Sequence, residues 1–130
     1  MKHILWLVFI PFVLISCDGN TDREFMVKNS SSQTVQVYVE SVYNSEIDTI
    51  TIGMGQTANV VYHNSMGGNS NEGTMSDFIQ AMTAVNDSGQ VLQKDYLLNE
   101  NWLIESERVS RVPSDWRHTY TFVITDADMQ

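Results

Sequence analysis

The 130-residue sequence has a single cysteine, Cys17, and only two prolines. A lone thiol has no partner within the chain, so a disulfide scaffold and a zinc site of several thiolates are both excluded. Basic residues are scarce too, with 7 Lys and Arg against 16 Asp and Glu and a net charge of −9. An acidic surface repels phosphate backbones, which makes nucleic acid and anionic lipid headgroups poor partners. The length suits one domain, stabilised by packing alone.

Catalytic and metal-binding motifs are missing as well. The sequence has no G-x-S-x-G elbow to expose a serine nucleophile, and no His-x-His or HExxH spacing to hold a metal. His63 and His118 stand far apart in the chain, so a small hydrolase stays a remote alternative and we expect no metal site. Two carboxylate pairs at i, i+2 are interpreted as solvated strand faces, because glycosidases draw their two acids from separate elements. These pairs are Glu105 with Glu107 and Asp126 with Asp128. We therefore predict a protein that is not an enzyme and needs no cofactor.

The longest apolar run lies at the N-terminus, where Met1-Lys2-His3 precedes an unbroken stretch from Ile4 to Ile15. At about 1.5 Å per residue this stretch reaches roughly 18 Å, which is short of a hydrocarbon core of about 30 Å. A positive start, a short apolar segment and the small residue Ser16 before polar sequence are typical of a secretory signal peptide. We expect residues 1–16 to be removed.

The end of this run, Leu14-Ile15-Ser16-Cys17, closely resembles the lipobox of bacterial lipoproteins. The resemblance implies signal cleavage between Ser16 and Cys17, a diacylglyceryl thioether on the Cys17 sulfur, and acylation of the new amino terminus. Each buried methylene contributes about 0.8 kcal/mol, so two or three acyl chains hold a small domain firmly at a membrane. A lipid also explains a lone cysteine in an exported protein. We expect a membrane-anchored protein of the cell envelope, on the outer membrane and facing the periplasm or the cell surface.

The rest of the chain predicts one all-β domain. Residues 17–23 are polar and turn-rich, so we expect the lipidated Cys17 and a flexible tether before a single domain over residues 24–130. Alternation of apolar and polar residues then indicates strands, most clearly over residues 35–39 and 119–125. The segment 78–85 favours a strand, with a short helix over 75–82 as the alternative. About seven short strands predict an antiparallel immunoglobulin-like β-sandwich, with a small β-barrel as the alternative.

Three places in the predicted domain are candidates for function. Residues 63–74 are rich in glycine and asparagine and predict a mobile surface loop. Trp116 lies outside an obvious alternating pattern, and it either closes the end of the core or stacks on a sugar or a protein partner. Trp102 is predicted to be a core residue. Asp48-Thr49-Ile50 matches the acid-Thr-apolar pattern at which Bacteroidota O-glycosylate exported proteins, which makes Thr49 a candidate for modification.

The domain as a whole is similar to small uncharacterised lipoproteins of Bacteroidota. The resemblance rests on strand-and-turn patterns over residues 25–31, 49–56, 96–102 and 120–128. It implies the fold and the cellular address, and it implies no activity. The sequence thus predicts a non-enzymatic interaction or accessory module that binds an unidentified envelope protein or glycan. A carbohydrate-binding module that uses Trp116 and the loop 63–74 is the alternative.

Overall fold

The computed structural model describes residues 18–130, so the predicted signal peptide and the lipid attachment at Cys17 lie outside the described residues. Within them the chain forms seven strands and three short 3-10 helices, and none of these helices is long or apolar enough to cross a membrane. The strands are β1 (Asn20–Asn29), β2 (Val35–Ser41), β3 (Asn44–Ile52), β4 (Thr57–Met66), β5 (Ile79–Asn86), β6 (Trp102–Ser110) and β7 (Asp115–Ile124). The 3-10 helices cover Met75–Asp77, Asn99–Asn101 and Asp126–Asp128.

The strands form two sheets, one in the order β4-β1-β7-β6 and the other in the order β3-β2-β5. All pairings are antiparallel except that of β1 with β7, which run parallel with Thr21 opposite Trp116 and Asn29 opposite Ile124. The predicted all-β sandwich of about seven strands is confirmed. The strands form two separate sheets and not one closed sheet, so the alternative of a small β-barrel is wrong. The strand order is not the ABED and CFG order of immunoglobulin constant domains, because here the first strand lies between β4 and β7.

The hydrophobic core lies between the two sheets and is built from alternate residues of the strands. Period-two alternation turns one row of each strand inward, which is why the valines of β2 are all buried. Phe25 occupies the centre of the core, with its ring stacked on Tyr120 at 4.3 Å and edge-on to Trp102 at 6.0 Å. Trp102 is only 4% exposed, which confirms its prediction as a core residue.

The folded chain begins earlier than predicted, which corrects the flexible tether over residues 17–23. Asn20 already belongs to β1, and the side chain of Thr21 is fully buried. The carbonyl oxygens of Asp18 and Gly19 accept hydrogen bonds from later backbone amides. The inward row of β1 is polar at both ends and apolar only at Phe25 and Val27. The alternation of apolar and polar residues therefore covers only part of the strand, and it does not reveal where the strand begins.

The strand favoured over residues 78–85 is confirmed. Residues 79–86 form strand β5, and the alternative helix over 75–82 is reduced to the single turn Met75–Asp77. The apolar residues after the turn at 87–89 make only isolated bridges, Val91 to Val85 and Leu92 to Met129, because Leu92 turns towards the C-terminal segment.

Candidate functional site

The first half of β1 and of β7 carries polar and aromatic side chains on the inner face of the four-stranded sheet. Parallel pairing sets Thr21 opposite Trp116 and Arg23 opposite His118. Thr21 and His118 are fully buried, and Arg23 is 5% exposed. A row of hydrogen-bonding groups inside a sandwich needs partners, since each unsatisfied buried group costs about 1–3 kcal/mol.

Residues 67–74, called the cover below, supply those partners. The Thr21 hydroxyl donates to the Gly67 carbonyl oxygen at 2.6 Å and accepts the Asn69 amide at 2.8 Å. The hydroxyl of Tyr120 donates to the Glu72 carbonyl oxygen at 2.5 Å. The mobile loop predicted over 63–74 is therefore corrected: its first four residues continue β4, and the rest lies hydrogen-bonded across the polar row.

Arg23 is the most unusual member of this row, because it is a buried cation. Its Nη2 donates to the Asn71 carbonyl oxygen at 3.0 Å, and its guanidinium lies 5.2 Å from the centre of the Phe78 ring. Among the described residues no carboxylate forms an ion pair with it, and its Nε has no hydrogen-bond partner. Burial raises the pKa of Tyr120, and the nearby Arg23 charge opposes that rise. The cation is thus held by a carbonyl dipole and an aromatic face.

Ser106 and His118 form a contact that the sequence did not reveal. Ser106 Oγ lies 2.7 Å from His118 Nδ1, and His118 Nε2 lies 2.8 Å from the Asn69 carbonyl oxygen. A carbonyl oxygen only accepts, so Nε2 carries a proton, and in the neutral ring Nδ1 accepts the serine hydroxyl. Only the register of β6 with β7 pairs these two residues, which is why no motif marks them.

A serine that donates to an imidazole is also the resting arrangement of a hydrolase dyad. Here, however, Ser106 Oγ also lies 3.3 Å from Glu72 Oε1. Acyl transfer builds negative charge on an oxyanion, which needs donors aimed at it, and a neighbouring carboxylate opposes that charge. We therefore assign the Ser106–His118 bond to holding β6, β7 and the cover together.

The predicted site residues are divided between the two sheets. Trp116 is half-buried in the inward row of β7, with its ring parallel to His118 at 6.2 Å, which favours the interpretation that it closes the core. Thr49 is exposed on β3, an edge strand, where a modifying enzyme has access. His63 stacks on Tyr43 at 3.9 Å. No group of three or more His, Cys, Asp or Glu residues within 18–130 is placed to hold a metal ion.

The end of the sandwich at which β1 begins is called the tip below, and it comprises residues 18–20, 66–68 and 109–115. Its backbones pack so closely that a Cβ on Gly19 would lie 2.2 Å, and one on Gly68 1.9 Å, from the Ser114 carbonyl oxygen. The Asn20 amide donates to Asp115 Oδ1 at 2.7 Å. The tip is therefore a fixed surface at the point where the chain enters the fold.

No protein-family model, curated protein or solved structure matches this chain.

Proposed function

We propose that this chain is a lipid-anchored protein of the cell envelope, in which acyl chains on Cys17 hold a non-enzymatic interaction or accessory module at the membrane. The observation that carries the proposal is the position of the lipobox-like run Leu14-Ile15-Ser16-Cys17. It ends a short apolar segment, and the folded domain begins at the next residue, Asp18. A processing site at that position removes the apolar segment and leaves every strand of the domain intact.

The polar groups inside the domain support a module without catalysis. The buried hydroxyls and the imidazole of the inward row bond to backbone groups of the cover or to one another. Groups used in this way stabilise the fold and are not free to bind a substrate. The module's partner, an envelope protein or a glycan, then contacts the outer surface, where Thr49 is also open to O-glycosylation.

Metabolic labelling with an alkyne analogue of palmitate tests the anchor. The wild-type protein, expressed in a bacterium that processes lipoproteins, is expected to carry the label and to enter the detergent phase. Cys17→Ala and Cys17→Ser are both expected to lose the label, because neither side chain forms the thioether. Incorporation of the label decides the test, because a protein that keeps its apolar segment also enters the detergent phase. Full labelling of both variants would sink the proposal.

A fluorophosphonate probe, which labels activated serines, tests the absence of hydrolase chemistry. Neither the wild-type protein nor Ser106→Ala is expected to react, because the Glu72 carboxylate near Ser106 opposes an oxyanion. Labelling of the wild type that disappears in Ser106→Ala and in His118→Ala would overturn the non-enzymatic part of the proposal.

A further inference from the structure

The tip carries the two most exposed large apolar side chains of the described residues. Val112 is 90% exposed and Met66 is 85% exposed, whereas the next highest value is 65%. Val109, also in the tip, is 54% exposed. Met66 ends β4 opposite Asn20, and Val112 lies in the turn between β6 and β7. Exposed apolar side chains that lie at the same end of a small domain make that end a candidate contact surface.

The chain enters the fold at this same end. The Gly68 amide donates to the Asp18 carbonyl oxygen at 3.0 Å, and the Gly67 amide donates to the Gly19 carbonyl oxygen at 2.9 Å. Consecutive Cα atoms are about 3.8 Å apart. A lipid on Cys17 therefore begins one residue away from the tip, and no flexible tether separates the two.

Arginines lie beside the apolar side chains at this end, which also carries the carboxylates of Asp18 and Asp115. Of the 7 Lys and Arg, Lys2 precedes the described residues, so 6 remain against 16 acids. Three of them are Arg108, Arg111 and Arg117. Arg117 pairs with Glu107, whereas Arg108 donates to Ser114 Oγ at 3.2 Å, within the tip. Arg111 lies exposed beside Val112.

We propose that the tip is a bilayer-contact surface, with Met66 and Val112 lodged at the boundary of headgroups and acyl chains and with Arg108 and Arg111 facing lipid phosphates. The proposal rests on the proposed function, because the acyl chains on Cys17 bring this end to the lipid. Apolar side chains flanked by cations are the composition that suits a membrane interface. The sandwich then stands end-on, since β1 leads away from the tip over its ten residues, about 30 Å.

The single natural cysteine gives a direct test, because the thioether consumes its thiol and an introduced cysteine becomes the only free one. Met66→Cys and Met54→Cys form a matched pair. Met54 is 64% exposed and lies in the turn between β3 and β4, where the Gly55 amide bonds to Asn29 at the far end of β1. Each full-length variant is purified from membranes, labelled with an environment-sensitive fluorophore and placed in phosphatidylethanolamine–phosphatidylglycerol vesicles.

A nitroxide on the lipid chain near the headgroup is expected to quench the fluorophore at position 66 several-fold more than the one at position 54. Iodide in the water is expected to give the reverse order. Val112→Cys is expected to behave like Met66→Cys, which guards against a local effect of one substitution. Equal quenching at positions 66 and 54 in protein whose intact mass includes the acyl chains overturns the bilayer contact alone. Absence of the acyl mass overturns the anchor and the contact together.

Discussion

Thr21 is a fully buried polar residue whose hydroxyl both donates to and accepts from the cover. It sits on β1, which pairs with β4 on one side and β7 on the other. Its two hydrogen bonds therefore link the first strand to residues almost fifty positions later in the chain. This makes Thr21 the most direct residue-level probe of where the domain begins.

Thr21→Val keeps the shape and the β-branching of the side chain but removes both hydrogen bonds. The Asn69 amide is left without its partner, so we expect the free energy of unfolding to fall by about 1–3 kcal/mol. Urea denaturation of the purified domain measures the change. Thr51→Val, at an exposed position of β3, is the control and is expected to stay within about 0.5 kcal/mol. If Thr21→Val were as stable as Thr51→Val, residues 18–23 would be a tether and not part of the fold.

His63 gives the fold a pH dependence of known sign. Partial burial, and secondarily the charge of Arg23, lower the pKa of His63 below its usual value of about 6.5. Between the two pKa values the unfolded chain binds more protons than the folded one, so stability falls as the pH drops through this window. Above about pH 6.5 the ring is neutral in both states and the contribution is complete.

His63→Gln removes the titrating ring, so we expect its stability to fall less steeply than that of the wild type as the pH drops from about 6.5. Urea midpoints measured at several pH values for both proteins give the comparison. Acidic groups titrate alike in the two proteins, so only the difference in slope is informative. A steeper fall in the variant would contradict the assigned sign.

The cover is the element that sets this domain apart from a plain two-sheet sandwich. Amides of Gly67, Gly68 and Asn69 all have hydrogen-bond partners in β1 or in the residues just before it. Asparagine side chains within the cover also accept the amides of Asn71 and Gly73. The cover is thus part of the fold, although it has no regular secondary structure.

Hydrogen exchange tests the cover directly. We expect the amides of Gly67, Gly68 and Asn69 to exchange much more slowly than those of an unstructured peptide, because each must first break a native hydrogen bond. Thr21→Val should speed exchange at Asn69 more than at Gly68, since only Asn69 bonds to the threonine hydroxyl. Exchange at the unstructured rate throughout the wild-type cover would mean that it is mobile after all.

The sequence predicts those elements whose inward rows are apolar. β2 and the second half of β7 show clear alternation, and both form strands at the predicted positions. The first half of β1 does not, because Thr21 and Arg23 occupy inward positions that hydropathy treats as polar. Trp116 is a similar case: it continues the period-two row of His118 and Tyr120, a pattern that the intervening histidine obscures.

The polar row and its cover depend on contacts between distant residues, and local patterns do not encode them. The bonds from Thr21, Arg23 and His118 to the cover each span more than forty residues of chain. Glycine and asparagine in residues 67–74 predict irregular backbone correctly, but they do not specify what that backbone covers. The register of β1 against β7 is what places the inward polar side chains of these two strands next to the cover.

At the scale of the whole molecule, the parallel pairing of the first and last strands places the start of β1 at the same end of the sandwich as the start of β7. β1 lies inside the four-stranded sheet, and its start lies at the tip with the turn between β6 and β7. In the proposed anchored protein, a lipid attached one residue before the fold would turn the tip towards the membrane. That orientation would leave the outer faces of both sheets open to the proposed partner.

The lipid on Cys17 is the central claim, and the intact mass of the protein extracted from envelope membranes tests it most directly. We predict a chain that lacks residues 1–16 and begins at Cys17, with the added mass of a diacylglyceryl group and an N-terminal acyl chain. Fragmentation should place that mass on Cys17. A chain that keeps residues 1–16, or that begins at Cys17 with an unmodified thiol, would contradict the account.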